Sequence, residues 1–343
     1  MTRQYAEAGV DLEGAEAAKA RIGRAVATTR TPLSVGHLGA FGGMVRIPDG
    51  MRRPTLVLST DGVGTKLLVA LEAGRSDTVG EDLVNHSVND ILVHGATPIA
   101  FMDYIAGSGL SVEWIAGLVE GIARGCRAHR MALAGGETAQ MPGLYRAGTY
   151  DLAGTIIGVV EEDAAIHGDA IRPGDVLLGY ASTGLHTNGY TLARRVVFER
   201  MGLGIDDRLG ELDRSVGDVL LEVHRSYFRS VMPVISQLHG LAHITGGGIP
   251  GNLVRILPAG SEAVVDPKSW ELPPLFTMLQ QAGGITTEEM RDVFNLGVGL
   301  IAVLPPQAVA AAQAAAESDG VATWTMGEIR PGGPGSRVTF RGP

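Results

Sequence analysis

The chain has 343 residues, which fits two domains of about 150–170 residues each, and its 28 Lys+Arg against 37 Asp+Glu give a net charge of −9. That balance provides no general attraction to nucleic acid or to an anionic membrane, and a content of 45% hydrophobic and 19% charged residues excludes wholesale disorder. A single cysteine, Cys126, excludes a disulfide framework and any multi-cysteine metal site. The start, Met1 to Val10, carries no apolar targeting region, and no apolar run approaches the ~18–20 residues of a membrane span, so a cytoplasmic protein is expected.

Residues 1–50 are punctuated by glycine, and Gly36-His-Leu-Gly39-Ala-Phe41-Gly42-Gly43 reads as a loop, because glycine at that density suits neither helix nor strand. Thr55–Thr60 is a short apolar strand that runs into Asp61-Gly62-Val-Gly64-Thr65-Lys66. A helix over 80–94 places Val84, Val88, Ile91 and Leu92 on one face. Asp82, Asn85, His86 and Asn89 lie opposite, with Asp90 at the edge. A strand over Ile99–Ala106, a helix over 112–128 and a strand over Met131–Ala134 follow, the last leading directly to Gly135-Gly136-Glu137-Thr138. A fourth strand covers Asp151–Val160. The polar stretch 161–175 marks a domain boundary. Beyond it the pattern gives a strand at Val176–Ala181, helices at Gly189–Met201 and 216–238, and a strand or helix at 252–257. The capping box Thr286…Glu289, a strand at Val298–Leu304, an alanine-rich helix at 306–317 and a last strand near 322–329 complete it.

No lysine follows a glycine, so a Walker phosphate loop is absent. The Asp61–Lys66 segment offers a carboxylate, two glycines, a hydroxyl and a cation, a set suited to a Mg-phosphate group; its plain alternative is a strand-to-helix turn with Asp61 as the N-cap. Asp90 is either a metal ligand or part of a solvated face. Asp103, on the apolar strand, is either outward or a buried carboxylate in need of a partner. Glu137 lies at a strand's C-terminal end, where α/β proteins often bind ligands. His186-Thr-Asn188-Gly-Tyr190 opens a helix, with His186 able to act as acid or base near neutral pH. His243-Ile-Thr245-Gly246-Gly247-Gly248 offers successive backbone amides to a phosphate. Cys126 falls on an apolar helical stripe and reads as a core residue.

Taken together, and in order along nearly the whole chain, these segments resemble the phosphoribosylformylglycinamidine cyclo-ligase family of the PurM-type ATP-binding superfamily. The match includes Tyr5–Asp11, Gly39–Gly43, Asp61–Lys66, Val88–Ile91, Gly135–Thr138, Met141–Gly143, Gly184–Tyr190, His243–Gly248 and Phe294-Asn295. The resemblance implies an α+β fold: an N-terminal α/β domain (1–165) whose sheet pairs with that of a second subunit, then a C-terminal α/β sandwich domain (170–338). It implies a homodimer, formylglycinamidine ribonucleotide as substrate, ATP and Mg²⁺ as cofactors, and phosphorylation of an amide oxygen followed by ring closure. Carried over residue by residue, Asp61, Asp90 and Glu137 become metal ligands, with a common cavity expected. Gly39, Phe41, Gly42, Gly43, Gly62, Gly64, Thr65, Lys66, Gly135, Gly136 and Thr138 become nucleotide contacts. His186, Asn188 and Asp103 are the catalytic candidates, and His243 with Thr245–Gly248 the candidates for the substrate phosphate. Relatives often carry a lysine where this chain has Gly23, with Lys19 one turn earlier, and His37 replaces a small residue of the loop. A thiamine-monophosphate kinase and a non-catalytic nucleotide-binding module are the rival readings. The selenophosphate synthetases and the HypE type depend on terminal cysteines that this chain lacks.

Overall fold

A computed structural model describes residues 12–37 and 40–342, with side chains from residue 19 onward apart from 211. The Tyr5–Asp11 segment and Gly39 lie outside the described residues. Two compact units emerge, one of residues up to Ile91 with Ala96–Glu161, the other of Leu92–Gly95 with Glu162 onward.

In the first unit, helix α1 (Leu12–Ala27) precedes a two-residue pair, β1 (Ser34–Val35) and β2 (Met44–Val45), that closes the glycine-rich loop. Strand β3 (Pro54–Gly62), helices α2 (Lys66–Glu72) and α3 (Asp77–Leu92), strand β4 (Thr97–Ser108), helix α4 (Val112–Ala128) and strands β5 (Ala132–Gln140) and β6 (Thr149–Glu161) follow. The sheet order is β3-β6-β4-β5, with β4 parallel to β5 and the other pairs antiparallel. Ser111 caps α4, its hydroxyl accepting from the Trp114 amide at 3.1 Å. The apolar stripe of α4, Ile115, Val119, Ile122 and Cys126, is buried. Burial drives the Cys126 thiol far above its usual range, so the residue is a packed hydrophobe.

Two expectations change here. Gly135–Thr138 do not follow a strand but continue β5 to Gln140. Glycine fits that register because a Cβ on Gly136 would stand 2.3 Å from the Asp103 carboxylate of β4. The polar face of α3 is not solvated either: Asp82, Asn85, His86 and Asn89 are all buried. The outer face of the sheet is apolar instead, with Leu56 and Leu58 of β3 and Met102 and Tyr104 of β4 between 40% and 62% exposed.

The second unit is built on a six-stranded sheet of order β12-β9-β11-β7-β10-β8, formed by β7 (Val176–Ala181), β8 (Gly240–His243), β9 (Ser261–Val265), β10 (Val298–Leu304), β11 (Thr323–Pro331) and β12 (Arg337–Phe340). Every residue of β10 is buried, because one face packs Leu300, Ala302 and Leu304 against one core and the other packs Val298, Ile301 and Val303 against a second. A strand covered on both sides needs the unbroken apolar run that the sequence shows. Helix α5 (Tyr190–Arg194) continues as a π-helical turn over Arg195–Arg200, and Thr286 caps the helix Thr287–Val293 as its capping box requires.

The long helix expected over 216–238 does not form. It is split into α6 (Val216–Leu220), an irregular stretch 221–227, α7 (Phe228–Val231) and a 3₁₀ segment with Pro233 near its start. The irregular stretch is held to the end of β7, where Arg225 and the Tyr227 hydroxyl both donate to the Ala181 carbonyl and Thr183 donates to Val223 O. These bonds replace a helical ladder that Pro233 could not have completed. Strands β8, β9 and β12 are additions to the sequence reading, being four or five residues long and set among glycine or proline.

Candidate functional site

In β3 the period of two sends Leu56, Leu58 and Thr60 outward and Ser59 and Asp61 toward α3. Helix α3 meets them with His86 and Asp90, one turn apart. Asp61 Oδ2 is 2.7 Å from His86 Nε2, which is 3.5 Å from Asp90 Oδ2, and Ser59 Oγ donates to Asp90 Oδ2 at 3.1 Å. Asp61, His86 and Asp90 thus each present one ligand atom within 4.8 Å of the others. Burial by itself would lower the His86 pKa, but the hydrogen bond to Asp61 and the charges of Asp90, Asp61 and Asp82 outweigh it and raise the imidazole above its ordinary value. For Asp61 burial acts upward, yet the His86 bond and charge and the Gly62 amide hold its carboxyl below the usual range. Hard divalent cations take oxygen donors, and two carboxylates open to solvent on one side meet that requirement.

Asp61 is no N-cap: Thr65 occupies that position of α2, and Gly64 makes the left-handed turn before it with φ +58°. Lys66 turns inward. Its ammonium lies 2.7 Å from Asp82 Oδ2 with both side chains fully buried, so the motif's cation forms a buried ion pair. The expected convergence of Asp61, Asp90 and Glu137 also changes. Register places Asp61 opposite Gly154 of β6, Gly154 opposite Asp103 of β4, and Asp103 opposite Gly136 of β5. Two strands therefore separate Asp61 from Glu137, about 14 Å at ordinary strand spacing.

Glu137 belongs to a cavity of ≈ 560 Å³ between α1, the glycine-rich loop, the start of α4 and β5. Gly42, Gly43, Gly135, Gly136, Thr138, Asp103, Lys19, Gly23 and His37 line it as well; Asp61 and Asp90 do not. Gly43 rests on β5 so closely that a Cβ would stand 2.2 Å from Ala134 O. Phe41, beside it, is fully exposed. Asp103 lies on the inward face with Phe101, and burial pushes its carboxyl up to about 7.

In the second unit the two motifs meet. His186 is buried with φ +62°, a left-handed conformation costly for a non-glycine residue, and the Thr183 amide donates to its Nε2 at 3.2 Å. Asn295 steadies that loop, donating to Gly184 O at 2.8 Å and accepting from Ser182 and from the Gly297 amide. A Cβ on Gly246 would stand 3.5 Å from Asn188 Oδ1, so the loop after His186 and the glycine turn are neighbours. Asn252 of α8 (Gly248–Leu253) clamps the turn, its amide donating to the carbonyls of Thr245, Gly246 and Gly248 and leaving Gly246 and Gly247 exposed.

Two residues of these clusters were not singled out from the sequence. His86 sits among the polar residues of α3, where its spacing of four from Asp90 was the available signal. His224 lies on the irregular 221–227 stretch and joins His186 and His243 in a buried cluster; nothing in its local sequence marks it.

Two family models match the chain: AIR synthase related protein, N-terminal domain, over residues 42–160, and AIR synthase related protein, C-terminal domain, over residues 172–339. A phosphoribosylformylglycinamidine cyclo-ligase from Myxococcus xanthus is 46% identical over 335 residues, 97% of each chain. One from Methylobacillus flagellatus is 45% identical over 337 residues, 98% of this chain and 96% of that one. Among solved structures, a thiamine-monophosphate kinase from Stenotrophomonas maltophilia aligns with a TM-score of 0.70 at 19% identity, covering 94% of this chain and 95% of that chain. A hydrogenase maturation protein HypE in complex with ATP gives 0.62 at 19% identity, covering 92% and 88%. At such identities these structures share the fold. Among the described residues, no helix is long and apolar enough to cross a membrane.

Proposed function

The chain belongs to the family of AIR synthase related proteins, and from that premise we propose where its chemistry takes place. The activity is that of an ATP-dependent cyclo-ligase in purine synthesis, converting formylglycinamidine ribonucleotide to aminoimidazole ribonucleotide with release of ADP and phosphate. An amide carbonyl is a poor electrophile. Transfer of the γ-phosphoryl group to its oxygen makes that oxygen a leaving group, and attack by the amidine nitrogen closes the five-membered ring.

We place the nucleotide in the cavity of the first unit. The observation that carries this is the meeting there of two glycine stretches distant in sequence, Gly42-Gly43 and Gly135-Gly136, with Glu137 and Thr138 beside them. Bare backbone lets a phosphate approach closely. Asp61 and Asp90 would hold Mg²⁺ on the helix-facing side of β3, with His86 orienting Asp61. Glu137 acts at the cavity, apart from that pair. His186, Asn188 and the Thr245–Gly248 turn handle the ribonucleotide, the turn taking its phosphate. The apolar outer face of Leu56, Leu58, Met102 and Tyr104 is where a second copy packs, giving a homodimer through the first unit. The compartment is the cytoplasm.

The direct test incubates purified protein with formylglycinamidine ribonucleotide and Mg-ATP and follows aminoimidazole product and ADP together. Equal amounts of both are expected. ADP formed without the imidazole, or neither product, refutes the assignment.

A further inference from the structure

We propose that Arg30 is a phosphate-binding residue of the first unit's cavity, its guanidinium bridging from the glycine-rich loop to the triphosphate of the nucleotide. The inference rests on the reading that ATP binds in that cavity. A triphosphate is strongly anionic, the chain carries a net charge of −9, and Asp103 and Glu137 already stand in the lining, so a cation has to be supplied locally. Lys66, the cation of the Asp61–Lys66 motif, is buried against Asp82 and is not among the lining residues. The basic residues that do line the cavity are Lys19, Arg30 and His37, the last charged only when protonated.

Arg30 is held ready by its neighbours. Helix α1 ends at Ala27, and the buried Thr29 then fixes the chain: its hydroxyl accepts from the Leu133 amide of β5 at 2.9 Å and donates to Val26 O at 2.8 Å. The Arg30 backbone is thus tied to the strand that carries Gly135 and Gly136. The exposed Arg30 side chain donates from Nη2 to Gly36 O at 3.1 Å, at the foot of the glycine-rich loop, where Gly36 turns with φ +77°. Among the described residues this is its one hydrogen bond, and no carboxylate pairs with it. A guanidinium has five N–H donors in a rigid fork matched to phosphate oxygens, so most of the fork is left for a ligand while one edge stays on the loop. Arg46, just after β2, provides the contrast. It also donates to a carbonyl of this region, Pro32 O at 3.0 Å, but it does not line the cavity.

The test titrates the full chain with Mg-ATP and with adenosine by calorimetry, for the parent and for Arg30→Gln, Arg30→Lys and Arg46→Gln. Arg30→Gln keeps a donor for Gly36 O but removes the charge. It is expected to lose at least about tenfold in ATP affinity, the scale of one charge-assisted hydrogen bond, with adenosine affinity unchanged and the unfolding temperature that of the parent. Arg30→Lys, which keeps the charge, should recover part of the loss, and Arg46→Gln should bind ATP as the parent does. Parent-like ATP affinity in Arg30→Gln, a matching loss for adenosine, or an equal loss in Arg46→Gln would overturn the proposal. If Arg30→Gln does not fold, Arg30→Met takes its place under the same criteria. Gly43→Val separates the two levels. Unchanged ATP affinity there refutes the placement of the nucleotide in this cavity, whereas a loss there beside full affinity in Arg30→Gln refutes only the role of Arg30.

Discussion

Lys66 carries the sharpest difference between what its motif suggests and what its surroundings do. In the structure its ammonium and the Asp82 carboxylate are 2.7 Å apart and both side chains are fully buried. Removing one member of such a pair leaves the other charge in a low-dielectric interior and costs about 3–5 kcal/mol. Asp82→Asn should therefore unfold the first unit at a temperature lower by roughly 10 °C, taking about 2–4 °C per kcal/mol for a domain of this size. Replacing both residues by apolar ones of similar volume, Lys66→Met with Asp82→Leu, should return most of that loss, since a packed apolar pair often matches a buried ion pair. Differential scanning calorimetry of the three proteins reads this directly, and ATP titration calorimetry of the double variant reads function. If the double variant is as stable as the parent yet has lost nucleotide affinity by more than about tenfold, Lys66 reaches phosphate in the working enzyme and the structural assignment is wrong. If Asp82→Asn melts with the parent, the pair is not the anchor its burial indicates.

Asp103 gives a pH signature: its carboxyl titrates near 3.8 when unfolded and about 7 when folded, so between those values the folded state holds a proton that the unfolded state has released. Stability should fall as pH rises through that window, by at most about 1.4 kcal/mol per pH unit, and urea unfolding of Asp103→Asn should show a flatter profile. Gly43→Val would drive a side chain into Ala134 O; nucleotide affinity should drop at least about tenfold by titration calorimetry while unfolding temperature stays near the parent's, because the loop is exposed. Leu58→Glu, on the apolar outer face where Leu58 is 62% exposed, should convert a dimer to monomer in analytical ultracentrifugation, and an unchanged mass would remove that face from consideration.

Legibility in the sequence followed the range of the interactions. Helix α4 runs over the residues its periodicity gives, Val112–Ala128, and the cap at Thr286 forms as its spacing requires, because both depend on neighbours within a turn. The continuation of β5 through Gly135-Gly136 was hidden, since a glycine pair reads as a turn until the Asp103 side chain of the neighbouring strand is seen to need that space. The failed helix over 216–238 has the same origin: apolar spacing favoured it locally, and hydrogen bonds to Ala181 and Thr183, 44 and 40 residues from their partners in sequence, overrode it. For the site, Asp61 and Asp90 could be named from their motifs, whereas the separation of Glu137 by two strands follows from sheet order, which no local pattern reports.

The buried face of α3 shows why polarity alone misled. Asp82, His86 and Asp90 recur every four residues and so lie on one line along the helix. Each meets a different partner from the β3–α2 segment: Lys66 for Asp82, Asp61 for His86, Ser59 for Asp90. Side-chain exposure along that line rises from 0% through 4% to 23%, and Asp61 across from it is 48% exposed. At the closed end a cation and a carboxylate neutralise each other and fix α2 to α3. At the open end two carboxylates are held by an imidazole and a hydroxyl but remain within reach of solvent. A single helix face is thereby divided into an anchor and a receptive acidic pair. The Asp61–Lys66 motif supplies one residue to each: Asp61 stays open to solvent, and Lys66 secures the turn that follows it.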